Sequence, residues 1–101
     1  MDHIVRWSPE AVEDIEAITE YIARDSEYYA RSIVTEILSV SRHIAEFPHI
    51  GRCVPELSDE NIRERFIHNY RLIYRIETEC ILIASVIHGK RLLENVEDRF
   101  E

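Results

Sequence analysis

Tyr70–Ile76 reads YRLIYRI. Aromatic and aliphatic residues without Gly or Pro mark a β-strand. Side chains along a strand alternate faces, so Arg71 and Arg75, four apart, leave the same face. Leu72, Tyr74 and Ile76 leave the other, which therefore needs an apolar layer to cover it. On the open side the two guanidinium groups need an acid or an external anion between them, because like charges repel. Glu56 and Glu64 are the acids within reach in the sequence.

The flanking segments extend this strand into a sheet. RERFIH (Arg63–His68) precedes it across a tight turn marked by Asn69. CILIASVIHG (Cys80–Gly89) follows across Glu77-Thr78-Glu79 and is apolar on both faces, as a central strand is. In such a meander Arg63 and Arg65 share one face of their strand. The arginines are expected to converge, with Arg71 and Arg75, on the face away from the apolar layer. His88 closes the third strand beside Lys90 and Arg91.

Upstream lies the layer itself. HIVRW (His3–Trp7) is a short strand. Ser8-Pro9-Glu10 starts a helix with a capping hydroxyl, Pro at the first helical position and an acid in the first turn. Ala11, Ile15, Ile18 and Ile22 form its apolar stripe, and Glu10, Glu13, Asp14, Glu16 and Glu20 its solvated face. Asp25-Ser26-Glu27 breaks and recaps. Ala30, Ile33, Ile37, Val40, Ile44 and Phe47 then run at helical spacing to Pro48, which cannot continue the helix. The loop FPHIGRCVPE (Phe47–Glu56) leads to the sheet.

The predicted fold is α+β, in the order β-α-α-β-β-β. A helical hairpin (9–47) packs on one face of a small, mainly antiparallel sheet (63–89), with a polar tail (90–101) that carries a short helix from Leu92 to Phe100. The opposite sheet face is expected to be open or covered only by the tail. With 101 residues the chain makes a single domain.

Net charge is −8, which argues against wholesale nucleic-acid binding. The charge is uneven: residues 1–60 hold thirteen Asp/Glu against five Arg, whereas residues 61–91 carry six basic residues against three Glu. Lys90 is the one lysine. Arginine's planar fork suits a carboxylate or phosphate. Replacing Arg71 and Arg75 with Ala is expected to abolish function and leave the thermal midpoint nearly unchanged. A large loss of stability would instead mark structural ion pairs.

Cys53 and Cys80 form no CxxC pair. His3, His43, His49, His68 and His88 show no metal-ligand spacing, and no cofactor is implied. No apolar run spans a membrane, and MDHIVRWSPE lacks the form of a signal peptide. The expected location is cytoplasmic.

Four segments in order carry a family resemblance over nearly the whole chain. They are W-S-P-E-A-x-x-D-I-x-x-I-x-x-Y-I (from Trp7), F-P-x-x-G-R-x-x-P-E (from Phe47), Arg63-Glu64 followed by YRLIYRI, and V-x-H-G-x-R (from Val86). The chain resembles the RelE/ParE superfamily of toxins from type II toxin–antitoxin modules, in its ParE-like, plasmid-stabilisation branch. The resemblance implies a small toxin neutralised by a ParD-like antitoxin, which alone contacts operator DNA. ParE-like members poison DNA gyrase and need no nuclease residues. RelE-like members cut mRNA in the ribosome and are usually strongly basic. In that alternative Arg71, Arg75 and His88 map to the catalytic positions. A third alternative is a non-toxic relic that still binds antitoxin. The residues expected to meet target or antitoxin are Arg52, Arg63, Arg65, Arg71, Arg75, His88, Lys90 and Arg91, with the tail Leu92–Glu101 as a further determinant.

Overall fold

The structure is a computed structural model and describes residues 2–89; Lys90, Arg91 and the tail helix expected after them lie outside this range. Five strands and two helices follow in the order β1 (Ile4–Trp7), α1 (Pro9–Ala23), α2 (Glu27–Glu46), β2 (Arg52–Cys53), β3 (Ile62–Ile67), β4 (Tyr70–Ile76) and β5 (Cys80–His88). The sheet order is β1-β5-β4-β3-β2, antiparallel except for the parallel β1–β5 pair.

Both helices begin as their sequences dictate. The Ser8 hydroxyl accepts from the Ala11 amide at 3.0 Å, with Pro9 behind it, and the Ser26 hydroxyl accepts from the Tyr29 amide at 3.1 Å. α2 buries Ala30, Ile33, Ile37 and Ile44 against the sheet. Ile33, Ile37 and Ile44 meet Ile67, Leu72, Tyr74, Ile81, Ile83 and Val86, and Ile15, Ile18 and Ile22 of α1 pack half-buried around this core. Phe47 departs from the stripe it was expected to complete. Its backbone leaves the helix at φ −130°, ψ 80°, and the ring turns outward, edge-on to His43 at 5.8 Å.

The far face of the sheet is not open. The segment after β2 folds across it, and Val54 and Leu57 pack on Ile62, Ile73 and Ile87 as a second, smaller core. Val54 donates its amide to Ile62, and Leu57 to Val54, which makes the segment a tight turn rather than a free loop. The apolar residues in CVPEL were the signal for this cover: an amphipathic turn beside a sheet removes apolar area from water on both sides.

β5 carries a bulge that its unbroken apolar run does not announce. Ile73 pairs with Ser85 and Tyr74 with Ile83, leaving Ala84 as the extra residue. β1 pairs only as far as Ile83, so α1 and its cap supply the partners beyond it. The Ser8 amide and hydroxyl donate to the carbonyls of Ile83 (2.9 Å) and Ala84 (3.2 Å). Asp14 accepts from the Val86 amide at 3.0 Å and the Ser85 hydroxyl at 3.3 Å. These contacts account for Ser8 and Asp14 together: polar groups buried at the bulge need partners, and α1 brings them.

Candidate functional site

Arg71 is the centre of the far-face site. It lies on β4 beside Phe66 of β3 and is 4% exposed. Its Nε donates to Glu64 Oε1 at 2.7 Å, and its Nη2 also bonds Glu64. Nη1 and Nη2 hold the two oxygens of Glu56 at 3.0 and 3.1 Å in a fork-to-fork pair. Arg52, which pairs with Glu64 across β2 and β3, donates Nε to Glu64 Oε2 at 2.5 Å. Its guanidinium also lies over the Phe66 ring, 5.3 Å from the centroid.

The result is a chain of alternating charge, Glu56–Arg71–Glu64–Arg52, that sums to zero. The Glu64 side chain is fully buried, whereas those of Glu56 and Arg52 are 47% and 59% exposed. The chain answers why two arginines leave an apolar strand: Arg71 is there to neutralise the buried Glu64. The electrostatics agree. The Glu56 hydrogen bonds hold the Arg71 guanidinium more firmly protonated than usual, with Glu64 adding to the effect. The Arg71 hydrogen bonds in turn pull the Glu56 carboxyl below its ordinary value.

Arg75 shares the face of Arg71, as expected, but is bound separately. Its Nε and Nη2 donate to Glu77 Oε2 at 3.1 and 2.6 Å, and the other Glu77 oxygen accepts from the Cys80 thiol at 3.0 Å. The thiol hydrogen bond, then Arg75, lowers the Glu77 carboxyl; Glu77 raises the Cys80 thiol.

Arg63 and Arg65 do not join them. The turn between β3 and β4 has two residues, His68 and Asn69, and His68 takes the left-handed conformation at φ 53°. A two-residue turn pairs odd positions on β3 with even positions on β4. Arg63 therefore lies opposite Tyr74, and Arg65 opposite Leu72, on the helix-side face. The sequence reading ran the strand through His68, and that one residue reverses the faces. Arg63 donates instead to the carbonyls of Glu60, His49 and Gly51, strapping the loop after α2. Arg65 Nη1 is buried with no hydrogen-bond partner among the described residues.

His88 is also parted from Arg71. It pairs with Tyr70, the rings edge-on at 5.9 Å, whereas Arg71 pairs with Ile87. Directly paired residues share a face, so His88 projects with Tyr70 and Arg71 on the opposite side. His88 does line a cleft of about 300 Å³ at the sheet's end with Phe66, His68, Asn69 and Gly89. Among the described residues no group of three or more His, Cys, Asp or Glu could hold a metal ion, and no helix is long and apolar enough to cross a membrane.

Sequence reasoning missed the latch behind this site. The Tyr74 hydroxyl donates to the Pro48 carbonyl at 2.6 Å and accepts from the Gly51 amide at 3.1 Å. Burial pushes its phenol pKa up, against the lowering effect of the Gly51 amide. A Cβ on Gly51 would sit 2.6 Å from the Tyr74 oxygen and 2.7 Å from the Glu64 carbonyl. The segment FPHIGRCVPE thus docks on β4 through Pro48 and Gly51 and delivers Arg52 and Glu56 to either end of the charge chain.

A family model described as the ParE toxin of the type II toxin–antitoxin system parDE matches residues 5–93. The chain belongs to the ParE toxin family. Among solved structures, a chromosomal ParDE toxin–antitoxin system from P. aeruginosa is similar at a TM-score of 0.71 and 16% identity, over 87% of this chain and 97% of that one. The E. coli toxin RelE, in a mutant form in the free state, is similar at 0.60 and 12%, over 98% and 94%. At such identities these likenesses concern the fold, which ParE and RelE toxins share with this chain. No curated protein matches the sequence.

Proposed function

We propose that this ParE-family chain inhibits DNA gyrase by binding rather than by catalysis, acts in the cytoplasm, and is neutralised by a ParD-like antitoxin that alone contacts operator DNA. The observation that carries the reading is the commitment of Arg71 to Glu56 and Glu64. A ribonuclease of the RelE type needs a guanidinium aimed at the phosphate undergoing attack and a proton-transfer group beside it. Here Arg71 faces two carboxylates, and His88 leaves the opposite side of the sheet. The net charge of −8 also opposes entry into a ribosome, whose phosphates favour basic ligands. A gyrase poison needs neither feature.

The test is induced expression in a bacterium carrying a DNA-damage reporter, with growth and reporter followed together. Growth arrest with the reporter on is the expected outcome. Arrest with the reporter off would place the target in translation and overturn the gyrase reading. Normal growth would leave a chain that only binds its antitoxin.

A further inference from the structure

We propose that the Arg71–Arg52 corner is a receptor for a carboxylate side chain of a partner protein, and that Glu56 is its resident, exchangeable occupant. The partner's identity as the antitoxin rests on the reading above. The receptor itself rests on geometry.

Arg71 is fixed from behind: Nε and Nη2 bond to the fully buried Glu64, and the residue is buried in the sheet. Its outward edge therefore presents two donors in a set orientation, which is the preorganisation that strong carboxylate recognition requires. Arg52 stands beside it, held by Glu64 and Phe66 but more than half exposed. The occupant is held differently. Glu56 rides on the turn whose neighbours Val54 and Leu57 carry the packing in the second core. Its side chain is half exposed, and its contribution there is the fork on Arg71. Rotating that side chain outward opens the fork without unpacking the turn. A bidentate carboxylate already sits on the Nη1–Nη2 edge of Arg71, within the field of Arg52, so a second carboxylate can take the same edge. A polyanion does not, because the chain's net charge of −8 repels it. Glu56 thus competes internally, and the affinity for an acidic partner falls by the fraction of time the fork is closed.

The test uses the purified chain and a short capped peptide that carries a single glutamate. Binding is followed at the Arg71 Nε–Hε resonance, and thermal midpoints report folding. Glu56→Gln should bind the peptide about tenfold more tightly than the original chain. Adding Arg52→Ala to Glu56→Gln should cancel most of that gain. Equal affinity with and without Glu56, a gain indifferent to Arg52, or tighter binding of inorganic phosphate than of the peptide would each overturn the proposal. Should Glu56→Gln fail to fold, Arg52→Ala alone, at an exposed position, must weaken peptide binding; unchanged binding sinks the idea. Since neither toxicity nor antitoxin enters this assay, a chain that binds the peptide but spares gyrase contradicts only the functional reading.

Discussion

Arg71 and Arg75 leave one face of one strand, yet their substitution should have different consequences. Arg71→Ala strips the fork from a fully buried carboxylate, leaving Glu64 with Arg52 alone. Breaking a buried pair from one side costs about 3–5 kcal/mol. Arg75→Ala breaks a pair with Glu77 whose side chains are 30% and 31% exposed, at about 1 kcal/mol or less. Urea denaturation of the two variants should give clearly separated midpoints, with Arg71→Ala far lower; matching midpoints would contradict the charge chain. The expectation that both arginines can be removed with little loss of stability is therefore kept only for Arg75, and the same midpoints test it. Tyr74 offers a second test at this scale. Tyr74→Phe keeps the ring but orphans the Gly51 amide and the Pro48 carbonyl, at about 1–3 kcal/mol. Gly51→Ala forces a Cβ into the Tyr74 oxygen and a backbone carbonyl, at about 1–3 kcal/mol. If the latch is one device, the two losses measured by urea denaturation should be strongly non-additive in the double variant.

At the scale of elements, the helices were legible because their signals are local. Ser8-Pro9 and Ser26 cap by their own chemistry, and the spacing of Ile33, Ile37 and Ile44 places them on one face without reference to anything distant. The far-face pairing was less legible because it depends on counting across a turn. Assigning His68 to the strand rather than to the turn moved Arg63 and Arg65 across the sheet. The bulge at Ala84 was invisible for a related reason: CILIASVIH is apolar throughout, so a register shift leaves no mark on its pattern. Its mark lies elsewhere, in Asp14 on α1, a carboxylate that reads as part of a solvated face until β5 is placed beside it. Asp14→Ala should leave the Val86 amide without that acceptor and cost about 1–3 kcal/mol. Native-state hydrogen exchange should show Val86 losing protection well before the centre of β4; uniform protection would argue that the bulge does not need α1.

For the whole molecule, two small cores share one sheet, and the second is closed by a turn whose Glu56 is also the end of the charge chain. Cover and charge thus sit on one turn, and acid should act first on the charge chain. The Glu56 and Glu77 carboxyls lie below their ordinary values in the folded chain. Their stabilisation is therefore complete above the unfolded carboxylate range and is lost as pH falls through the lowered folded values. The acid limb of a stability profile should be steep for the original chain and shallower for Glu56→Gln; superimposable limbs would show that Glu56 is not a stabilising partner of Arg71. The gross architecture followed from periodicity, and the likeness to ParE and RelE toxins extends over it. The choice between their activities turns on how few atoms meet around Arg71. The most direct measurement is to incubate purified gyrase and plasmid DNA with the purified chain, with a structured mRNA and ribosomes in a parallel reaction. The account predicts that gyrase-linked cleaved DNA accumulates with the dose of the chain while the mRNA stays whole. Cleaved mRNA with gyrase untouched would contradict it.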